Sequence, residues 1–396
     1  MNESIKIQTP CFLFYEQEFI SSIKSIKAAF GRFFSKVIIG YSVKTNSLPY
    51  CLKIAREQGS YAEVVSYNEY LLALKCNFSP DKIIYNGPLK SKETFLDAIV
   101  KGAIVNIETF REIEWLKELP RNGSYKVGLR LNIDISRISP GDQCHENDDS
   151  RFGFSFESGE FQLALERIKK INTVRLSGIH THRTSRTRSP LFYKNVLNHT
   201  NHILNTLRLN VEYLDIGGGY FGKMPDKPTF EDYANEIYKT IRNKDDKLTL
   251  ILEPGNALTA SSFEYLTSII DVKEHIDKYF ITTDGTRNDI DPFYRKTDYF
   301  KEIIMKDGRN IIANKEQIVG GCTCLENDRI FSIEKGNKLL QVGDQIKYHR
   351  VGAYTMCLSP MFIHYFPIVY SVDRNKKIAI VRQEWTENEF IQKSNL

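Results

Sequence analysis

Lys44 lies near the end of the run "IIGYSVKTNS" (residues 38–47), where an apolar, β-branched stretch gives way to turn residues. A buried strand that delivers a cation at its tip places that amine for use. Two chemistries are common for such a lysine: a point charge for a phosphate, or a nucleophile that forms a Schiff base with a carbonyl. Three further stretches carry groups suited to a planar, phosphorylated carbonyl compound. "DIGGGY" (215–220) sets Gly217, Gly218 and Gly219 in a row. Such a row lets backbone N–H groups approach a phosphate closely, and by itself it is equally a tight turn. Glu253 in "LEPGNAL" ends another apolar run. A carboxylate there can keep a ring nitrogen protonated, cap a helix or face water. "HTH" offers His180 and His182, as ring-stacking imidazoles or as hydrogen-bonded core histidines. Read as an alternating pair, they are expected to send only one ring inward.

The elements that must position these groups alternate along the chain. Strand-like runs fall at 37–43, 61–66, 82–87, 103–108, 125–133, 175–182, 211–217 and 248–254. Helical spacing marks 48–58, 67–76, 91–101, 109–118, 159–170, 191–208 and 229–243. Eight strands alternating with helices predict a parallel (β/α)8 TIM barrel over residues 30–265, with an open doubly wound sheet as the other reading. After residue 265 runs such as "KYFITTD", "QIVGGCT" and "KIAIVRQ" lose the helical periodicity. They predict a mostly antiparallel C-terminal β domain over 266–396, joined by a strand within 8–16. Barrels of this type build active sites at the C-terminal ends of their strands. Those ends carry, in order, Lys44, Ser66, Asn86, Glu108, Arg130 with Asn132, His182, Gly217–Gly219 and Glu253.

Composition narrows the function classes. The 396 residues suffice for two domains, and a net charge of +5 spread along the chain does not argue for nucleic acid. No apolar run approaches the ~18 residues a membrane span needs. The first ten residues lack a signal pattern, and seven cysteines without framework spacing suit a reducing cytoplasm. Neither "CTC" (322–324) nor the acidic loop within 139–155 has the partners of a metal site, so no metal is expected.

A Schiff-base lysine beside a phosphate loop, a stacking imidazole and a carboxylate is the set that pyridoxal 5'-phosphate requires. The wider sequence resembles the fold-type III pyridoxal-phosphate-dependent decarboxylases, the diaminopimelate, ornithine and arginine decarboxylases related to alanine racemase. "YSVKTN" is similar to the family's Y-(A/S)-x-K-(A/S/T)-N, "EVVSYNEY" to D-V-x-S-x-x-E, and "NGPLKS" to N-x-x-K-S/T. "SRFGF", "HRTS", "DIGGG", "EPG", "GGCTCLEND" and "VGAYT" follow in the family's order. The resemblance implies Lys44, Cys324 and Tyr354 as catalytic residues. It implies His182, Ser185, Gly217, Gly218, Gly219, Glu253, Gly255, Asn256 and Tyr354 as cofactor contacts. It further implies a homodimer in which Cys324 and Tyr354 complete the partner's site. Cys324 and Lys44 are then candidate proton donors to Cα after carbon dioxide leaves.

Three departures bear on the substrate. Asn256 stands where the family usually has Arg. Leu325 stands where diamine-forming relatives carry an acid for a distal ammonium, leaving Glu326 or Asp328 as substitutes. "HRTSRTR" brings Arg183, Arg186 and Arg188 in place of small residues. Guanidinium groups bind carboxylate and phosphate bidentately. Arg183 and Arg287 are therefore candidate contacts for a distal anionic group, although a solvated loop also accounts for the stretch. The resemblance implies an amino acid decarboxylase. An amino acid racemase on the same barrel and a non-catalytic cofactor-binding homologue are the alternatives.

Overall fold

The computed structural model describes residues 5–144, 150–241, 248–306, 308 and 310–395. The chain divides into two compact units, one over residues 20–258 and the other joining the N-terminal segment through residue 19 to residues 259 onward.

The first unit is a closed parallel barrel. Its strands are β1 (Val37–Ser42), β2 (Tyr61–Ser66), β3 (Ile83–Leu89), β4 (Ile104–Ile107), β5 (Tyr125–Asn132), β6 (Val174–His180), β7 (Tyr213–Asp215) and β8 (Thr249–Leu252). Each pairs in parallel with its neighbours, β8 pairs with β1, and β4 pairs with β5, so the ring has no open edge. The eight strands expected from the sequence are these eight, and the barrel reading holds over the open sheet.

Short connections follow from capping. Ser66 ends β2 and accepts the Glu69 N–H as the cap of helix Tyr67–Lys75. Ser91, Thr109 and Ser189 cap the next helices in the same way. Glu69 and Glu112 reach back to the Val65 and Glu108 N–H groups, at 2.8 and 2.9 Å, and clamp the ends of β2 and β4.

The barrel interior is not wholly aliphatic. Gly128 on β5 and Gly178 on β6 leave room for the Tyr213 phenol, since a Cβ at either would fall within 2.2 Å of it. Above that ring a polar column runs toward the strand tips. Tyr213 donates to Asn106 at 2.7 Å and Asn106 donates to Asn86 at 2.8 Å.

The second unit is one sheet of mostly antiparallel pairs. Cys11–Tyr15 lies between Phe263–Glu274, antiparallel, and Ile368–Val372, parallel. Phe263–Glu274 is long enough to pair also with Lys278–Thr283 and Gln345–His349. Cys11, Leu13, Leu266, Ile368 and Tyr370 form a core on this sheet.

Candidate active site

Lys44 sits in a single 3-10 turn directly after β1. Its Nζ donates to Glu63 Oε2 at 2.7 Å, with the lysine side chain 39% exposed and the glutamate 1%. Burial alone would raise the Glu63 carboxyl. The Lys44 charge and hydrogen bonds from Lys44, Ser42 and Asn86 outweigh it and hold Glu63 below the usual carboxylate range. Asn86, midway along β3, donates to Glu63 Oε1 at 3.1 Å and to Glu253 Oε1 at 2.5 Å.

Glu253 follows β8 and is buried. Burial, the nearby Asp215 and Glu63 charges, and its donation to Asp215 push its carboxyl well above the ordinary value. Asp215 ends β7 and rises to about 7, through burial offset by hydrogen bonds from Glu253 and the Gly217 N–H. His180 Nε2 lies 3.6 Å from Glu253 Oε2, and burial with the Arg130 charge keeps this imidazole neutral. Among the described residues, His180, Asp215 and Glu253 form the one cluster compact enough for a metal ion. The hydrogen bond between the two carboxyls makes it a proton-sharing group. An acid with a raised folded-state pKa keeps its proton in the native state, so the stability it contributes is complete below the unfolded value near ~4 and fades as pH rises through about 7. Asp215→Asn in cofactor-free protein should therefore gain on the parent in thermal melts as pH rises across that window. A difference constant with pH would contradict the assignment.

His182 lies just past β6, with its ring 6.3 Å from that of His180 and 7° from parallel. Residues two apart on a strand share a face, so both rings turn to the interior and the expectation of a single inward histidine is corrected. Burial and the Arg130 and Lys44 charges hold His182 neutral, near about 3. Gly217 has φ +67, and a Cβ there would lie 2.3 Å from His182 Nδ1. A Cβ on Gly218 would meet the Glu253 carbonyl oxygen at 2.3 Å. Gly219 has φ +100, and Tyr193 holds the loop by donating to the Gly218 carbonyl at 2.8 Å. Gly255 packs on Thr45, the neighbour of Lys44, and Asn256 opens a four-residue helix. The glycine loop, Gly255, His182, Glu253 and Lys44 thus share the C-terminal end of the barrel.

The basic stretch divides. Arg183 is 8% exposed and donates to Asn132 Oδ1 at the tip of β5, 2.5 Å away. Arg186 is exposed, and Arg188 lies over the Phe221 ring at 5.5 Å. Ser185 donates to Asp142, which also accepts from Thr187 at 2.6 Å. That buried aspartate is an organiser of the stretch that the sequence reading missed. Residues 145–149 of the acidic loop lie outside the described residues. Arg130 and Glu108 pair at 3.3 Å beside buried Lys90, which meets Glu112 at 3.3 Å.

The remaining candidates belong to the second unit. Cys324 and Glu326 are exposed, and Tyr354 is 44% exposed in a left-handed conformation at φ +56. Cys322 and Cys324 are both free thiols. Two substrate candidates are engaged within their own unit. Asp328 is buried, and its oxygens accept from Thr286, Thr323 and the Arg287 N–H at 2.6–2.8 Å, so it braces the Cys324 loop. Arg287 spends its guanidinium on Asp291, at 2.9 Å, and on the Lys296 and Arg329 carbonyls, with Tyr294 beneath it.

A model of the pyridoxal binding domain of the pyridoxal-dependent decarboxylases matches residues 16–260. The chain belongs to this family. Its reaction is that of a carboxy-lyase acting on an amino acid, and the racemase reading is set aside. The probable chloroplastic diaminopimelate decarboxylase of Oryza sativa subsp. japonica is 28% identical over 388 residues, covering 95% of this chain and 77% of its own. The diaminopimelate decarboxylase of Aquifex aeolicus is 25% identical over 89% of this chain and 83% of its own. In fold, the Helicobacter pylori diaminopimelate decarboxylase complexed with L-lysine matches at TM-score 0.82 and 22% identity, over 98% of this chain and 97% of its own. A Paramecium bursaria Chlorella virus arginine decarboxylase matches at 0.77 and 20%, over 92% of this chain and 96% of its own. No helix among the described residues is long and apolar enough to cross a membrane.

Proposed function

We propose that this decarboxylase uses pyridoxal 5'-phosphate on an α-amino acid whose far end carries a carboxylate or another anionic group. One observation carries the cofactor assignment. Lys44 and Glu253 are linked through Glu63 and Asn86, beside a glycine loop whose Cβ-free surface faces His182 and the Glu253 backbone. The residues fit the group: an amine for its aldehyde carbon, a cradle for its phosphate, a flat imidazole for its ring face and a carboxyl for its ring nitrogen. When bound, the cofactor supplies an electron-accepting protonated ring that takes up the pair left as the Cα–carboxylate bond breaks and carbon dioxide departs.

This chain's residues do the rest. Lys44 holds the aldehyde carbon, and Glu63 keeps its amine oriented. Glu253, holding a proton in the unliganded protein, has it available for the ring nitrogen. Neutral His182 presents an uncharged face. Gly218 and Gly219, with Gly255 and Asn256, offer backbone N–H groups to the phosphate, while Gly217 gives its own N–H to Asp215 and shapes the loop. Ser185 stands in the loop fixed by Asp142. A proton returns to Cα from Lys44 Nζ or from the thiol of Cys324. In the dimer we propose, Cys324 and Tyr354 serve the partner's site. Free cysteines suit a cytoplasmic protein.

The anionic end rests on Arg183, a buried guanidinium steadied by Asn132, and on exposed Leu325, which offers no charge to an ammonium. The test is carbon dioxide release from diaminopimelate and carboxyalkyl amino acids against lysine and ornithine. Borohydride reduction and peptide mass mapping should accompany it. We expect the reduced label on Lys44 and faster turnover of the anionic-ended substrates. Equal rates across the panel would remove the anionic reading, and a label absent from Lys44 would remove the cofactor assignment.

A further inference from the structure

We infer that Asn86 is a positioning residue that couples the two ends of the cofactor site, fixing in one side chain the carboxylate that holds Lys44 and the carboxylate that meets the ring nitrogen. The inference rests on the cofactor reading above.

Asn86 is 1% exposed, in an interior that barrels usually fill with Val, Ile and Leu. Its amide is used in full. Nδ2 gives one hydrogen to Glu63 Oε1 at 3.1 Å and the other to Glu253 Oε1 at 2.5 Å, while Oδ1 accepts from Asn106 at 2.8 Å. Asn106 is fixed in turn, because its Oδ1 accepts from the Tyr213 hydroxyl at 2.7 Å. The amide cannot be flipped: its oxygen would then face two carboxyls and its NH2 would face the Asn106 NH2. No other side chain of this volume donates twice and accepts once in one plane. Serine donates once, aspartate adds a third acid, and leucine leaves two buried carboxyls short of a donor.

The consequence falls on Glu253. Burial and Asp215 both favour its protonated form. Donation from Asn86 to Oε1 is the opposing interaction, and it strengthens when Glu253 is an anion, as it must be to face a protonated ring nitrogen. Without Asn86 the proton stays on Glu253. The ring nitrogen then meets a neutral acid, a weaker partner.

The test compares pyridoxal phosphate with an analogue whose ring nitrogen is replaced by CH. Dissociation constants are read from the visible absorbance of the reconstituted protein. In the parent, pyridoxal phosphate should bind more tightly than the analogue. In Asn86→Leu that preference should shrink by on the order of tenfold, the gap between a charge-assisted and a neutral hydrogen bond. Borohydride should still label Lys44. An unchanged preference, or equal weakening toward both compounds, would show that Asn86 only packs, and would overturn the inference. If the leucine variant does not fold, near-isosteric Asn86→Asp carries the same comparison with the same expected loss. Failure of the parent itself to bind through Lys44 would instead strike at the cofactor assignment.

Discussion

Lys44→Ala is expected to lower carbon dioxide release by on the order of 10³-fold or more and to abolish borohydride labelling, because no other amine takes over the covalent role. Lys44→Arg separates charge from chemistry. Arginine restores a cation to Glu63, which lies at 2.7 Å from the lysine amine, but it does not form the Schiff base. The arginine variant should therefore unfold near the parent's midpoint while remaining as inactive as the alanine variant. The alanine variant leaves Glu63 with donors from Ser42 and Asn86 but no cation, so burial then favours its protonation. Decarboxylase assays beside thermal melts of both variants check this. Substantial turnover in either one would place the reacting amine elsewhere.

Lys90→Met carries the largest expected loss of stability. The Lys90 side chain is fully buried, 3.3 Å from Glu112 and 3.9 Å from Glu108, and Glu108 pairs in turn with Arg130. Removing one member of a buried ion pair strands the other, at a cost of about 3–5 kcal/mol. Glu112 is the stranded group, already raised by burial despite Lys90. Without that cation its folded-state pKa rises further, and a raised acid loses stability as pH increases. The deficit, measured by denaturant unfolding, should be larger at neutral than at mildly acidic pH. Because Glu112 also fixes the Glu108 N–H at the end of β4, activity should fall with stability.

The barrel was legible because its strands are apolar runs separated by helices with serine or threonine caps, and both signals are local. The strand-tip residues were legible for the same reason: the last residues of each run follow from its length. What lay below the tips was not. Glu63 and Asp215 stand before the ends of their motifs, and nothing local tells which inward residue meets Lys44 or Glu253. His180 could have been found from the two-residue period of a strand, which puts it on the same face as His182. The partners of Asp328 and Arg287 were not legible, because a lone acid or base looks alike whether it waits for a ligand or is held by its own loop. Only the placement of Thr286, Thr323 and Asp291 decides that. Asp142 was hidden in a polar loop, where one acid among several carries no local sign that it accepts from Ser185 and Thr187.

The position of Cys11–Tyr15 inside the second sheet governs how that sheet can be completed. Its two neighbours lie more than 250 and more than 350 residues later, as Cys11 pairs with Leu266 and Ile368. During synthesis the opening strand emerges first and waits for both. A fragment that begins at residue 259 would lack it altogether and leave two bare strand edges open to other chains, inviting aggregation. Supplying the missing segment as a separate peptide should rescue solubility of such a fragment, which makes strand complementation a route to a split form of the protein.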